Sequence, residues 1–331
     1  MRGTVLVLAV ACASLLGERG ARSWDDFGHM EVAAVAYRRL KPATRKRVAA
    51  LLKLNPKYAY WVVGAKANDR DRVAFMRAAT WADSIKDDPA YTSDSQDAGT
   101  AARNIGYGDK LQHRYWHFID EPFSSDGTAL VPPKPPNAGT QIPLFRSVLA
   151  SATADDALKS YDLVWLLHLV GDVHQPLHCV SRFEATEPAG DQGGNTVRIA
   201  GNTLPAICDD SRCALGPPKN LHAFFDDVAG QGYCAHEIEA AAASLPPPDA
   251  QKAAILDETA WIQEGLTLAG SNVYAAPIGA GVGPFTVDAH YQDAATALGA
   301  QRIALAGARL AGLLNASFAQ EAEARKVGRN P

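Results

Sequence analysis

The sequence predicts a mainly α-helical single domain with one small β-hairpin. Three observations lead there. Apolar residues recur at helical spacing in segment after segment, as in Val32, Val35, Ala36 and Leu40. A hairpin pattern appears at Thr196–Asn202, with its turn near Gly201-Asn202. No composition shift, tandem repeat or linker divides the chain, and 331 residues at 47% hydrophobic and 21% charged are ordinary globular composition.

Residues 1–23 read as a secretory signal. Arg2 is the charged start, Thr4 to Leu16 the apolar core, and Ala21-Arg22-Ser23 a small-x-small cleavage site. The apolar run is too short for a membrane span, and no later stretch of about twenty apolar residues replaces it. The expected mature domain is therefore 24–331, secreted or periplasmic, beginning at Trp24. Losing Arg2, Arg19, Arg22 and Glu18 takes 32 basic and 36 acidic residues to 29 and 35. That balance excludes a basic surface of the kind that holds duplex DNA. Cys179, Cys208, Cys213 and Cys234 remain, an even number in an exported chain, which reads as two disulfides. Of three pairings, Cys208–Cys213 closing a local loop with Cys179–Cys234 is the one expected.

Helices are expected over Met30–Leu40, Thr44–Leu54, Arg72–Ile85, Leu144–Ala150, Tyr161–His174, a segment starting at Asn220, Ala235–Leu245, Asp249–Ala269 and Ala289–Phe318. Pro89–Lys110 is a polar connection and His113–Asp120 an aromatic-rich extended stretch. Pro122–Pro143, rich in proline, serine and glycine, is a loop long enough to overhang a site.

The chemistry concentrates in Leu166–Cys179, L-L-H-L-V-G-D-V-H-Q-P-L-H-C. On a helix, His168 and Asp172 lie one turn apart on one face. Pro176 ends or kinks that helix, which lets His178 turn back toward the same place. Imidazole and carboxylate on a rigid apolar helix suit a divalent cation such as zinc, and buried charges need partners. His222 and Asp226 repeat the one-turn spacing. Cleavage before Trp24 would expose an α-amine that can chelate together with its own carbonyl, with His29 five residues on. Asp83, in A-T-W-A-D-S-I-K, reads by itself as a helix-end carboxylate paired with a neighbouring base such as Lys86. His117, Phe118 and Asp120 offer a ligand, a flat apolar platform and an acceptor, the equipment for gripping an unpaired nucleobase, although an aromatic core strand accounts for them equally well. Gly193-Gly194-Asn195 allows close backbone approach or simply a tight turn. His113, His174, His236 and His290 read as structural or exposed.

Taken together, W-D-D-F-G-H, A-T-W-A-D-S-I-K, W-H-F-I-D, H-L-V-G-D-V-H-Q-P-L-H, G-G-N and N-L-H-A-F-F-D occur in an order that resembles the zinc-dependent class I nucleases, the S-one/P-one type single-strand nuclease/3′-nucleotidase family. The resemblance implies the compact, mainly helical fold shared with zinc-dependent phospholipase C, and three zinc ions. The first would be held by Asp83, His117, His168 and Asp172, the second by His178, His222 and Asp226. The third would take the Trp24 amine and carbonyl with His29, sharing Asp172. It further implies catalytic roles for Asp83, Lys86 and Asp172 and substrate contacts from Phe118, Asp120, Asn195 and Lys86, the last a point charge where the family often has arginine. The activity implied is hydrolysis of single-stranded DNA and RNA to 5′-nucleotides and removal of 3′-phosphate from 3′-mononucleotides, by a monomer without stable duplex binding. One departure stands out. Glu121-Pro122 follows the H-F-I-D run where the fungal enzymes carry a further acidic residue two beyond the Asp, and Glu121 could substitute. The alternative is a phospholipase C acting on choline lipids, whose last ligand is typically Glu where this chain has Asp226.

Overall fold

The computed structural model describes residues 24–204, 217–230 and 234–327. Its helices are α1 (Asp26–Arg39), α2 (Pro42–Leu52), α3 (Tyr58–Trp61), α4 (Arg70–Ala78), α5 (Trp81–Ser84), α6 (Ala138–Ala150), α7 (Asp156–Asp172), α8 (Leu221–Asp227), α9 (Ala235–Ser244), α10 (Ala250–Ala253), α11 (Glu258–Leu268) and α12 (Ala289–Val327). The mainly helical class is as expected from the sequence.

Helix α7 is the centre. From Lys159 to Asp172 every residue is buried, so it is covered on all sides rather than along one stripe. Helices α1, α2, α5, α6 and α12 pack around it. A wall of large rings surrounds its middle: Trp165 meets Trp81 and Trp116 edge-on at 5.8 and 4.9 Å, and Trp81 meets Tyr107 and Tyr161 in the same way. Such pairs each add about 0.5–1.5 kcal/mol beyond their buried area. Trp24, Trp81, Trp116, Trp165 and Trp261 all have less than 2% of their surface exposed, so the packing around the site is rigid.

Several expected boundaries shift for local reasons. Helix α6 starts at Ala138, through Pro143, because Asn137 and Thr140 form a reciprocal capping box. The expected helix Arg72–Ile85 is broken into α4 and α5 around Ala79-Thr80. Helix α7 ends at Asp172, and a tight turn Pro176–Cys179 returns the chain, as Pro176 requires. The His113–Asp120 stretch is a 3-10 turn at Arg114–Trp116 rather than extended chain, with His113 stacked on Trp116 at 3.7 Å.

The expected hairpin is not formed among the described residues. Strand β3 (Ile199–Ala200) pairs in parallel with β4 (Phe285–Thr286), and Arg198 makes only an isolated antiparallel bridge to Asn220. Position 283 explains the choice: its left-handed glycine brings the carbonyl of Arg198 within 2.4 Å of where a Cβ would stand, so only glycine lets the distant segment dock. A second parallel pair joins β1 (Glu121–Phe123) to β2 (Val180–Arg182). It ties the segment after His117 to the segment after His178.

The pairing Cys179–Cys234 is not formed either: both are free thiols, Cys179 buried and Cys234 exposed ahead of α9. Cys179 instead points inward, donating its thiol to the Val173 carbonyl at 3.3 Å and packing against Gly265, where an added Cβ would lie 2.7 Å from its sulfur. Cys208 and Cys213 lie outside the described residues.

Candidate metal centre

The carboxyl end of α7 delivers His168 and Asp172, both fully buried, with Nε2 of the histidine 3.4 Å from Oδ1 of the aspartate. His117, which precedes β1, brings its Nδ1 to 3.1 Å from Asp172 Oδ2 and 3.0 Å from His168 Nε2. Asp83 on α5 completes this group, its Oδ1 lying 3.6 Å from His168 and 3.7 Å from His117. The break between α4 and α5 has a use. In a continuous helix the Ala79 carbonyl would accept from the Asp83 amide; here it accepts from His168 Nδ1 at 2.7 Å.

A second group lies alongside. His178 and His222 place their Nε2 atoms 3.1 Å apart, and Asp226 oxygens lie 3.9 and 3.6 Å from them. His178 Nδ1 donates to the His117 carbonyl at 2.9 Å and His222 Nδ1 to the Gly193 carbonyl at 2.7 Å. Carbonyl oxygens only accept, so His168, His178 and His222 each carry a proton on Nδ1 and turn Nε2 inward; burial would lower His168, but Asp172 and Asp83 outweigh it and raise its pKa. A carbonyl behind each ring is what orients histidines toward a metal.

His29 on α1 reaches the same centre, with Nε2 3.3 Å from Asp172 Oδ1 and its ring stacked on His168 at 3.7 Å. An added Cβ on Gly171 would fall 2.9 Å from the His29 ring, so glycine there is what admits it. The chain start is docked beside it: the Trp24 indole donates to the Gly171 carbonyl at 3.0 Å, and the Asp25 amide donates to the Asp226 carbonyl at 3.2 Å.

Protonation follows from burial and charge. His117, His178 and His29 are held well below the ordinary imidazole range, first by burial, then by Lys86, His222 and His168 respectively. Burial alone would raise Asp83, but Lys86, whose Nζ lies 2.5 Å from its Oδ1, with His168 and His117, holds it well below the usual carboxylate range. Burial pushes Asp226 well above that range, assisted by the charges of Asp25, Asp83 and Asp172 and opposed by the Gln175 amide at 2.8 Å. A buried carboxylate in this state calls for a cation.

The donor set fits zinc. Three groups have ligand atoms all within 4.8 Å of one another: His29 with Asp83 and His168, His117 with His168 and Asp172, and His178 with His222 and Asp226. Neutral imidazole nitrogens and carboxylate oxygens, with second partners already in place, are what a zinc site needs.

A family model described as S1/P1 Nuclease matches residues 24–319. The chain belongs to the S1/P1 nuclease family. No individual curated protein matches it in sequence. Membership of the S1/P1 family implies a hydrolase that acts on nucleic acid, and the family is in general zinc-dependent.

Against that frame, Phe118 and Asp120 line a cavity of about 190 Å³ whose other walls include Phe183 and Val131 to Lys134 of the long loop. The loop expected to overhang a site borders this cavity. Asn195 does not line that cavity; its amide donates to the Gln192 carbonyl at 2.8 Å and closes the turn. Glu121 is spent as a strand residue opposite Val180, half-buried, with burial raising its carboxyl. Of the histidines set aside, His113 lies between Asp94 and Asp109, and His174 donates to the Val170 carbonyl and accepts from Arg309. Gln175, Ala79 and Gly193 escape a reading of the sequence, because two act through backbone carbonyls and the third through an amide that any loop may carry.

Proposed function

We propose that the chain is an exported trinuclear-zinc phosphodiesterase and phosphomonoesterase, mature from Trp24, that hydrolyses single-stranded DNA and RNA to 5′-nucleotides and removes 3′-phosphate from 3′-mononucleotides. The observation that carries this reading is the convergence of three His/Asp groups, with Asp172 touching both His117 and His29, on the chain segment that continues into Phe118 and Asp120. Family membership supplies the class of reaction.

Asp83, His117, His168 and Asp172 would hold one zinc, and His178, His222 and Asp226 a second. The Trp24 amine and carbonyl with His29 would hold the third, sharing Asp172. Bound zinc supplies a water whose pKa falls from about 15.7 toward 7 and a Lewis acid for the phosphate oxygens. The chain's own residues do the rest. Lys86 keeps Asp83 ionised and offers a positive point charge beside the centre, where phosphate charge grows during attack. Phe118 offers a ring on which one base can stack, and a base inside a duplex has no free face to offer it. No helix among the described residues is long and apolar enough to cross a membrane.

The test is zinc content and product analysis for protein verified to begin at Trp24. About three zincs per chain, with chelator-sensitive release of 5′-nucleotides from single-stranded DNA and RNA and phosphate from a 3′-mononucleotide, is the expected result. Zinc-loaded protein inert on all three substrates would overturn it.

A further inference from the structure

The turn Gly190-Asp191-Gln192-Gly193-Gly194 joins the metal centre to the base cavity. Its Gly193 carbonyl fixes His222, and Gln192, one residue earlier, lines the cavity with Phe118 and Asp120. Gln192 has φ 55°, the left-handed region, as do Gly190, Gly193 and Gly194 around it. Glycine would hold that conformation without strain, so a long side chain retained there points to work done by the side chain. Its backbone amide donates to Ser181 Oγ and its carbonyl accepts from Asn195, which pins the backbone, while the side chain is exposed on the cavity and makes no hydrogen bond among the described residues. The Asp120 carboxylate on the cavity wall likewise has no hydrogen-bond partner among the described residues. The other polar wall residues are engaged: Asn137 caps α6 and donates to the Lys134 carbonyl, Gln96 donates to the Lys134 and Pro136 carbonyls, the Lys134 ammonium pairs with Asp97, and Ser181 Oγ accepts from the Gln192 amide.

We infer that Asp120 and Gln192 together read the edge of the bound base and select guanine. This rests on the nuclease reading and narrows its substrate. Guanine alone presents, in sequence along one edge, an acceptor O6 and the donors N1–H and N2–H₂. A carboxylate accepts from the two donors side by side, as it does from arginine, and a primary amide donates to O6. Adenine would set its N1 lone pair against Asp120, while uracil presents one acceptor there and cytosine two. A site built of groups that need specific partners rejects bases that leave them unpaired. Phe118 and Phe183, with Val131 and Pro133, supply apolar walls for any base, so the discrimination falls to the two polar groups.

The experiment compares kcat/KM of the zinc-loaded enzyme on the four 3′-nucleotides and on ribose 3-phosphate, which has no base. The parent should favour the guanine nucleotide by about tenfold or more. Gln192→Glu, the same shape with the donor lost, should drop guanine below adenine. Gln192→Gly, which keeps the left-handed backbone and leaves Asp120 in place, should cut the guanine preference severalfold without abolishing it. In both variants the rate on ribose 3-phosphate should hold, since the Gly193 hold on His222 is intact. A parent without guanine preference overturns the inference, as does a preference undiminished by both substitutions or an equal loss on ribose 3-phosphate. Failure on all five substrates would overturn the nuclease reading and this inference with it.

Discussion

His178 and His222 face each other through their Nε2 atoms at 3.1 Å, each ring held from behind by a backbone carbonyl, that of His117 and that of Gly193. With Nδ1 donating in each ring, the two Nε2 atoms turn toward each other in a buried site, an arrangement that a cation bound between them would favour.

Zinc should therefore be a folding ligand as well as a cofactor. Dialysis against a chelator is expected to lower the melting temperature, and zinc added back should restore it. A site filled at 100 times its dissociation constant adds about 2.7 kcal/mol. Identical melting with and without chelator would contradict the assignment.

Lys86 touches Asp83 at 2.5 Å in a buried pair. Lys86→Ala is expected to lower kcat about 100-fold, in the range for losing one group that stabilises developing charge. Zinc content should be nearly unchanged. Lys86→Arg keeps the charge and should stay within about tenfold of the parent. Equal activity of Lys86→Ala and parent would remove the residue from the mechanism.

The proposed third metal would depend on contacts that the other two would not use. Gly171→Ala would place a methyl 2.9 Å from the His29 ring. One zinc of three should be lost, as it should when an extra residue precedes Trp24. Metal analysis by mass spectrometry reads both variants, and three full zincs in each would count against the N-terminal site.

Acid should weaken the fold in two windows. His174 is held well below the usual imidazole range by burial, then by Arg302 and Arg309. Below pH 6.5 the unfolded chain takes up a proton that folded His174 refuses, costing about 1.4 kcal/mol of stability per pH unit. Glu264 would be raised by burial, but its bonds to Arg309 and Arg302 bring it down to about 2. Its contribution is present above the unfolded value of 4.5 and is lost as pH falls toward about 2. Urea midpoints between pH 6.5 and 4.5 should drop less steeply in His174→Gln than in the parent; parallel curves would assign the slope elsewhere.

Much of the centre was legible in the chain because the ligands come in local pairs. His168 with Asp172 and His222 with Asp226 share the one-turn spacing of a helix face, and Pro176 announces the turn that returns His178. Local spacing also placed the long helices, since their apolar period is a property of each segment. The failures were non-local. Nothing near Ile199 says that its strand partner is Phe285, because parallel pairing is decided by how distant segments dock. The thiol of Cys179 faces Gly265 and the Val173 carbonyl for the same reason, and it is free, as is that of Cys234.

What the sequence by itself determined is the donor inventory and the helices that carry it: residue types and their spacing suffice when chemistry sits on one face of one element. What only the tertiary structure decided is which donors meet and in which protonation state. Burial, the Lys86–Asp83 contact and the carbonyls of Ala79, His117 and Gly193 set those states. They belong to segments far apart in the chain, brought together by the packing around α7.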